Sequence, residues 1–252
     1  MSLFLLIVIF ALVLVFSGLM AMAGLGAAFL FVPLFLAFGV PFPEAASTAL
    51  LLNALSLLVS TIQYVRAGLI RWKVGVPMLV AAVILSPLGA WGSNFADPHW
   101  LKALFVAFLV FAGSMMLFFQ AKPRPQGLSG AKEATIGVGV GAGAGFLGGL
   151  LGVGGGNFIL PTLSGLGVET KIAAGTTALV VFFSSLSGFL GHISLGHPNL
   201  ELIISASVAA VLGSAVGSWA MRKKVSGRQL KKIIGVLLYL VAVVMSVKLV
   251  LR

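Results

Sequence analysis

Two glycine-rich interruptions hold the residues best suited to bind a ligand. One is Gly148-Gly149-Leu150-Leu151-Gly152-Val153-Gly154-Gly155-Gly156-Asn157-Phe158-Ile159-Leu160-Pro161. A sparser copy, Ala23-Gly24-Leu25-Gly26-Ala27-Ala28-Phe29-Leu30-Phe31-Val32-Pro33, lies 128 positions earlier (24 against 152, 33 against 161). Glycine destabilises a helix interior and proline cannot donate to it, so each run predicts a break between two half-helices, with Pro33 and Pro161 as breakers. A half-helix starting at such a break presents unpaired N–H groups and partial positive charge, which favours an anion. Gly24, Gly26, Gly152, Gly154, Gly155, Gly156 and Asn157 are therefore candidate substrate-binding residues. A nucleotide loop fits poorly, because no strand precedes the glycines and neither a spaced acidic residue nor Lys-Ser/Thr follows. Close helix packing through small residues is the competing account.

The segment after each short arm adds polar side chains. Thr48, Asn53 and Ser56 share roughly one helical face, as do Thr177 and Ser184, with Thr176 beside them. These are candidate hydrogen-bond donors to a substrate. Ser47, Ser60, Thr61, Ser185 and Ser187 lie on the same segments, and interhelical hydrogen bonding is the plainer account for about half of the whole set. Asn53 is the sharpest case, since an amide near mid-span is costly unless partnered. Gln63, Arg66 and His192 close these segments and are candidates for a gate or proton coupling. The plainer readings are a topology-setting charge for Arg66 and an interfacial histidine for His192.

Glu44, Asp97, Glu133, Glu169 and Glu201 all fall near segment ends. No carboxylate at mid-span argues against a cation substrate and against aspartyl proteolysis. Cysteine is absent, and neither HExxH nor any other histidine spacing makes a metal site. No catalytic residue, metal or cofactor is expected.

The positioning elements follow from composition. The chain has 252 residues, 60% hydrophobic and 8% charged, with mean hydropathy +1.18, which predicts an all-α polytopic membrane protein. Apolar runs fall at about 2–22, 27–39, 45–65, 74–94 and 101–120, then 134–151, 156–167, 172–192, 201–221 and 230–250. Each half reads long, short, long, long, long. Residues 1–20 resemble a signal peptide, but no Lys or Arg precedes them and they align with mid-chain residues, so they belong to the mature fold.

The duplication is ungapped. Gly39-Val40 meets Gly167-Val168, Thr48 meets Thr176, Ser56 meets Ser184, and Ser86, Gly89 and Trp91 meet Ser214, Gly217 and Trp219. Two repeats of about 120 residues result, 1–120 and 134–252, joined by a basic linker at 121–133. The net charge of +11 suggests positive-inside loops and not nucleic acid, because the bases lie between apolar spans. If each long–short pair enters and leaves on one side, thirteen of the sixteen bases lie in the cytoplasm, leaving Lys102, Lys248 and Arg252 outside. The linker is then cytoplasmic and both termini lie outside. Three further crossings per half make the repeats inverted, as in secondary transporters.

The Gly-x-Gly-Gly-Gly-Asn-Phe-Ile-Leu-Pro run, the following Ala-Ala-Gly-Thr-Thr helix and the degenerate first copy resemble the sulfite exporter TauE/SafE family over nearly the whole chain. That resemblance implies a bacterial inner-membrane permease for small sulfur-containing anions, sulfite or organosulfonates, in contact with membrane lipids and open to homo-oligomer formation. It implies a transport core of Gly24, Gly26, Pro33, Gly152, Gly154, Gly155, Gly156, Asn157 and Pro161. The first half departs from the pattern, with Ala27, Ala28 and Phe29 opposite Gly155, Gly156 and Asn157. The alternatives are an anion channel and a membrane enzyme or sulfur-relay component.

Overall fold

The structure, a computed structural model, describes residues 3–23, 26–118, 130–193, 200–221 and 227–250. All ten expected runs are helical: α1 (Leu3–Ala23), α2 (Ala28–Ala37), α3 (Phe42–Arg66), α4 (Trp72–Gly92), α5 (Pro98–Phe118), α6 (Gly130–Leu151), α7 (Gly156–Gly165), α8 (Thr170–Ile193), α9 (Leu200–Met221) and α10 (Gly227–Val250). Six of them, α1, α3, α4, α5, α6 and α8, contain stretches long and apolar enough to cross a bilayer.

Large apolar residues fill the core, among them Phe29, Phe31, Phe35 and Phe105, but large apolar residues are also exposed along the outer helix faces. On α4 the inner face carries Gly75, Met78, Ala82, Ser86 and Gly89, while Trp72, Val76, Val80, Ile84 and Leu88 form an exposed stripe at four-residue spacing. Similar exposed stripes run along α9 (Ile204, Val208, Leu212, Val216) and α10 (Val236, Leu240, Val244, Val247). Water would oppose such a surface, whereas lipid matches it. The chain is a polytopic integral membrane protein.

Glycine sets the closest approaches. Gly137, Gly141, Gly145 and Gly149 of α6 stand one turn apart against the backbones of Val74, Met78, Ala82 and Ser86, so α6 and α4 run parallel. Gly213 and Gly217 of α9 pack in the same way on Leu14 and Gly18 of α1. Helices α3 and α8 cross antiparallel at the centre: Tyr64 meets Gly175, Asn53 meets Ser185 and Leu50 meets Gly188. Helices α5 and α10 are also antiparallel, with Gly113 on Tyr239 and Leu117 on Gly235. Helix α4 packs on α8 as α9 packs on α3, so exchanging the halves reproduces the contact pattern.

Two boundaries differ from expectation. Helix α6 begins at Gly130, so Ala131, Lys132 and Glu133 form its first turn and not part of a linker. An acidic residue in a first turn complements the helix dipole. Most of the expected linker, residues 121–129, lies outside the described residues. In addition, Pro33 and Pro161 do not end or break their arms. Each is the sixth residue of a ten-residue helix, which accommodates the missing N–H and continues for another turn. The interruptions are made by glycine alone.

At the α6 start, Arg71 donates from both Nε and Nη2 to the two carboxylate oxygens of Glu133, while its backbone N–H donates to Thr176 Oγ1 at 2.9 Å. Arg71 thereby ties α4 to both α6 and α8. Glu133 is nearly buried and Arg71 partly exposed. Arg71→Met is expected to cost about 2 kcal/mol, between exposed and buried pairs. Adding Glu133→Gln should recover most of it by removing the stranded charge. Thermal unfolding of the single and double variants measures this, and an unchanged single variant would contradict the tie.

Candidate functional site

The two glycine interruptions meet one residue. Asn53 lies thirteen residues before the α3 terminus at Arg66, about 20 Å along the axis. Its Oδ1 accepts a hydrogen bond from the Ala28 N–H, the first amide of α2, at 3.2 Å. Its Nδ2 donates to Ser185 Oγ of α8 at 2.9 Å. Gly26 and Gly154 both press against this amide: a Cβ at Gly26 would overlap Asn53 Oδ1, and one at Gly154 would lie 2.5 Å from Asn53 Nδ2 and 2.7 Å from Ser185 Oγ. Only glycine leaves room for the Asn53–Ser185 pair between the interruptions.

The backbone explains the local turn. Gly26, Gly152, Gly154 and Gly155 have φ of 75°, 72°, 74° and 73°, the left-handed region that glycine enters without penalty. Gly155 is the N-cap of α7, and Gly156 and Asn157 are its first residues. The N–H groups of Val153 and Gly154 turn back to the Gly148 carbonyl at 3.0 and 3.5 Å. Among the described residues, the amides of Gly155, Gly156 and Asn157 have no acceptor. Helices α2 and α7 thus begin mid-bundle and run toward opposite ends, each placing the positive end of its dipole beside Asn53.

The polar side chains expected at the site divide into engaged and unengaged groups, and they are spread along the bundle. Ser56 is one turn from Asn53, whereas Thr177 lies eight residues, about 12 Å, along α8 from Ser185. Buried side-chain oxygens of Thr48, Ser56, Thr177 and Asn157 have no hydrogen-bond partner within the protein, nor do those of Ser17, Ser47 and Thr61. An unpartnered buried hydroxyl or amide costs on the order of 1–3 kcal/mol, and these four belong to the set expected from sequence to meet a substrate. Thr176 is engaged: its hydroxyl donates to the Ile172 carbonyl at 2.8 Å and accepts from Arg71 N–H, leaving no proton for a ligand. The Ser184 hydroxyl donates to the Val181 carbonyl at 3.3 Å.

The expected gate residues lie elsewhere. Gln63 and Arg66 are exposed near the end of α3, about 15 and 20 Å along it from Asn53. His192 is buried, with Nε2 2.9 Å from the Gly149 carbonyl, where it fixes the last turn of α6 before the interruption. Gly24 lies outside the described residues. No described group of acidic residues and histidines forms a metal site.

Ser185, named from sequence only among the hydroxyls open to interhelical bonding, is the one that meets Asn53. Sequence singles out Ser184 for sharing a helical face with Thr177, but its hydroxyl turns back to its own helix. The position matching Asn53 is Val181, which lines the same spot beside Gly154.

With this geometry in place, the comparisons have a site to refer to. The family model described as "Sulfite exporter TauE/SafE" matches residues 8–245. The chain belongs to the sulfite exporter TauE/SafE family. It is 26% identical to the "Probable membrane transporter protein YunE" of Bacillus subtilis (strain 168), over 94% of this chain and 95% of that one. A second B. subtilis relative, "Probable membrane transporter protein YdhB", is 30% identical over 77% of this chain and 80% of its own length. "Sulfite exporter TauE/SafE family protein 6" of Arabidopsis thaliana is 35% identical over 41% of this chain and 25% of its own. No solved structure matches the chain. The glycine interruptions of this family member lie wholly inside the matched region.

Proposed function

We propose that this TauE/SafE family member is a secondary transporter for small sulfur-containing anions, sulfite or an organosulfonate, working by alternating access between inverted halves in a bacterial inner membrane. The observation that carries the proposal is the meeting of both glycine interruptions at the Asn53–Ser185 pair. Two half-helix N-termini bring partial positive charge to one interior point, where a bare anion would otherwise pay heavily for desolvation. The antiparallel pairing of α3 with α8 and of α5 with α10 supports inversion, since each pair consists of sequence duplicates. The names of the relatives support transport and the sulfur oxyanion.

In this reading the amides of Gly155, Gly156 and Asn157, with Ser56 one turn from Asn53, donate to the oxyanion oxygens, while Gly26, Gly152 and Gly154 give the backbone its approach. Thr48 and Thr177 lie about 7.5 and 12 Å along their helices from Asn53 and Ser185, in opposite directions, and meet the anion only on its way in or out. Neutral donors suit release. Lys102, Lys132 and Lys171, like Arg66 and Arg71, sit in end turns or just outside the helices, so no described fixed cation traps the anion at the centre. The basic end of the bundle, with Arg66, Arg71, Lys73, Lys132 and Lys171, faces the cytoplasm by the positive-inside rule, and the termini face outward. An inside-negative potential then expels an anion with about 2.3 kcal/mol per charge per 100 mV. Counterflow of radiolabelled sulfite in proteoliposomes tests the proposal, with sulfoacetate, taurine and sulfate as competitors. Saturable, trans-stimulated flux is expected. Flux without trans-stimulation would indicate a channel, and no flux of any of these anions would remove the substrate assignment.

A further inference from the structure

The two halves are duplicates, yet they fill equivalent places differently. In the second half, Phe158 of α7 packs against Phe108 and Phe111 of α5, with both ring centroids 5.2 Å away. The matching residues of the first half are Leu30 of α2 and Val236 and Tyr239 of α10. They build no aromatic cluster, and the Tyr239 hydroxyl is turned to Ser114 Oγ at 2.7 Å. A cavity of about 1030 Å³ lies beside Leu30, toward the end of the bundle from Val236 and Tyr239. Leu240, Val241, Val244 and Met245 form its α10 wall, and the first and third of these also belong to the exposed stripe of that helix. Its floor is buried Leu30 and Pro33, and exposed Pro41, Asn94 and His99 lie on its rim with Lys102. Asp97 beside the rim has a carboxylate oxygen occupied by the His99 and Trp100 amides at 2.7 and 3.4 Å.

The cavity reaches α2 within one turn of Ala28, whose amide is bonded to Asn53. It therefore leads from the end of the bundle carrying Lys102 toward the meeting point of the interruptions. At the equivalent place in the second half stand three rings instead, Phe108 buried, Phe158 half-buried and Phe111 42% exposed on the outer face of α5.

We propose that Phe158, clasped by Phe108 and Phe111, is the closed cytoplasmic gate, and that the cavity over Leu30 and Pro33 is the open external vestibule of the same path. The proposal rests on the transporter reading and orientation given above and adds the residues that set the resting state. Aromatic pairs add attraction beyond area burial. The cavity side keeps the Phe42–Phe105 edge contact, but only the second half places a ring, Phe158, at the third residue of its short arm between two rings of α5. The asymmetry is written into the sequence as Phe against Leu at positions 158 and 30, and it biases the equilibrium between the two closures.

The absence of native cysteine makes accessibility measurable. Leu34→Cys on the cavity wall and its counterpart Thr162→Cys on α7 are compared using a membrane-impermeant maleimide on right-side-out and inverted vesicles, without substrate. Leu34→Cys should react from the external side and Thr162→Cys should be protected from the cytoplasmic side. Adding Phe158→Leu should speed cytoplasmic modification of Thr162→Cys on the order of tenfold and slow that of Leu34→Cys. Phe158→Tyr should leave both rates unchanged. Phe111→Leu should reproduce the shift if Phe158→Leu fails to insert. Rapid cytoplasmic labelling of Thr162→Cys with Phe158 intact, or rates indifferent to both leucine variants, would overturn the gate. Sides reversed with the Phe158 effect retained would overturn the cytoplasmic assignment. Labelling needs no substrate, so a failed sulfite flux would count against the transport reading alone.

Discussion

Asn53→Leu is expected to abolish anion flux and to destabilise the protein by about 2–4 kcal/mol. Leucine keeps the branched shape but puts bulkier methyl groups where the amide oxygen and nitrogen sit at 3.2 and 2.9 Å from their partners, so the loss combines stranded polar groups with crowding. The Ala28 N–H loses its acceptor and Ser185 loses the Nδ2 donor, and each stranded buried group costs on the order of 1–3 kcal/mol. Ser185→Ala should cost only about 1 kcal/mol, because it removes one partner and leaves the α2 amide capped. If the pair works as a unit, the double variant will be less destabilised than the sum of the singles, the usual sign of groups in contact. Thermal unfolding of the three variants reads the coupling, and flux in proteoliposomes reads function. Additive stabilities with normal flux in Asn53→Leu would show that the pair holds nothing that matters to transport.

Gly26→Ala and Gly154→Ala are expected to be at least as damaging, for two separable reasons. A left-handed backbone penalises any Cβ by about 1–2 kcal/mol. The added methyl would also collide with the Asn53 amide, forcing it off the α2 amide or away from Ser185. Gly39→Ala and Gly68→Ala isolate the first term, since their φ angles are 83° and 69° but a Cβ at either would meet nothing within 4 Å. These two should fold, lose about 1–2 kcal/mol and keep their flux. The site glycines should lose about 3 kcal/mol or more, with little transport in whatever inserts. Equal effects at all four positions would reduce the interruptions to turn geometry.

Much of the fold was legible because membrane helices are punctuated by chemically distinct residues. Gly, Pro and charge bracketed all ten helices, and the register of Gly24, Gly26 and Pro33 against Gly152, Gly154 and Pro161 exposed the duplication. Less legible was what each punctuation mark did. Proline looked like the breaker, yet α2 and α7 run through it, because a helix packed in a bundle tolerates one missing hydrogen bond. Asn53 stood out as a costly amide at mid-span, but sequence could not show its carbonyl capping α2. Sharing a helical face with Thr177 favoured Ser184 over Ser185, but the face of α8 that meets Asn53 is set by the crossing with α3, which sequence periodicity does not reveal. Thr176 looked as free as Thr177, and only the fold reveals the Arg71 N–H bound to its hydroxyl. The aromatic closure at Phe158 left no mark in composition, since phenylalanine is common throughout the chain.

Asn157 offers the most direct test of the central claim, that the glycine interruption receives the anion. It is the second residue of α7, is buried, and its Oδ1 has no partner within the protein. Asn157→Leu therefore breaks no internal hydrogen bond of that oxygen and should insert and unfold much like the native chain. Radiolabelled sulfite efflux from proteoliposomes, compared between the native chain and Asn157→Leu at matched reconstitution, is the measurement. Saturable efflux that falls by at least about tenfold in a normally folded variant is the predicted result, through loss of the hydrogen bond that Nδ2, and not the accepting Oδ1, donates to the anion. Undiminished efflux in that variant would contradict the site and leave the glycines as packing residues.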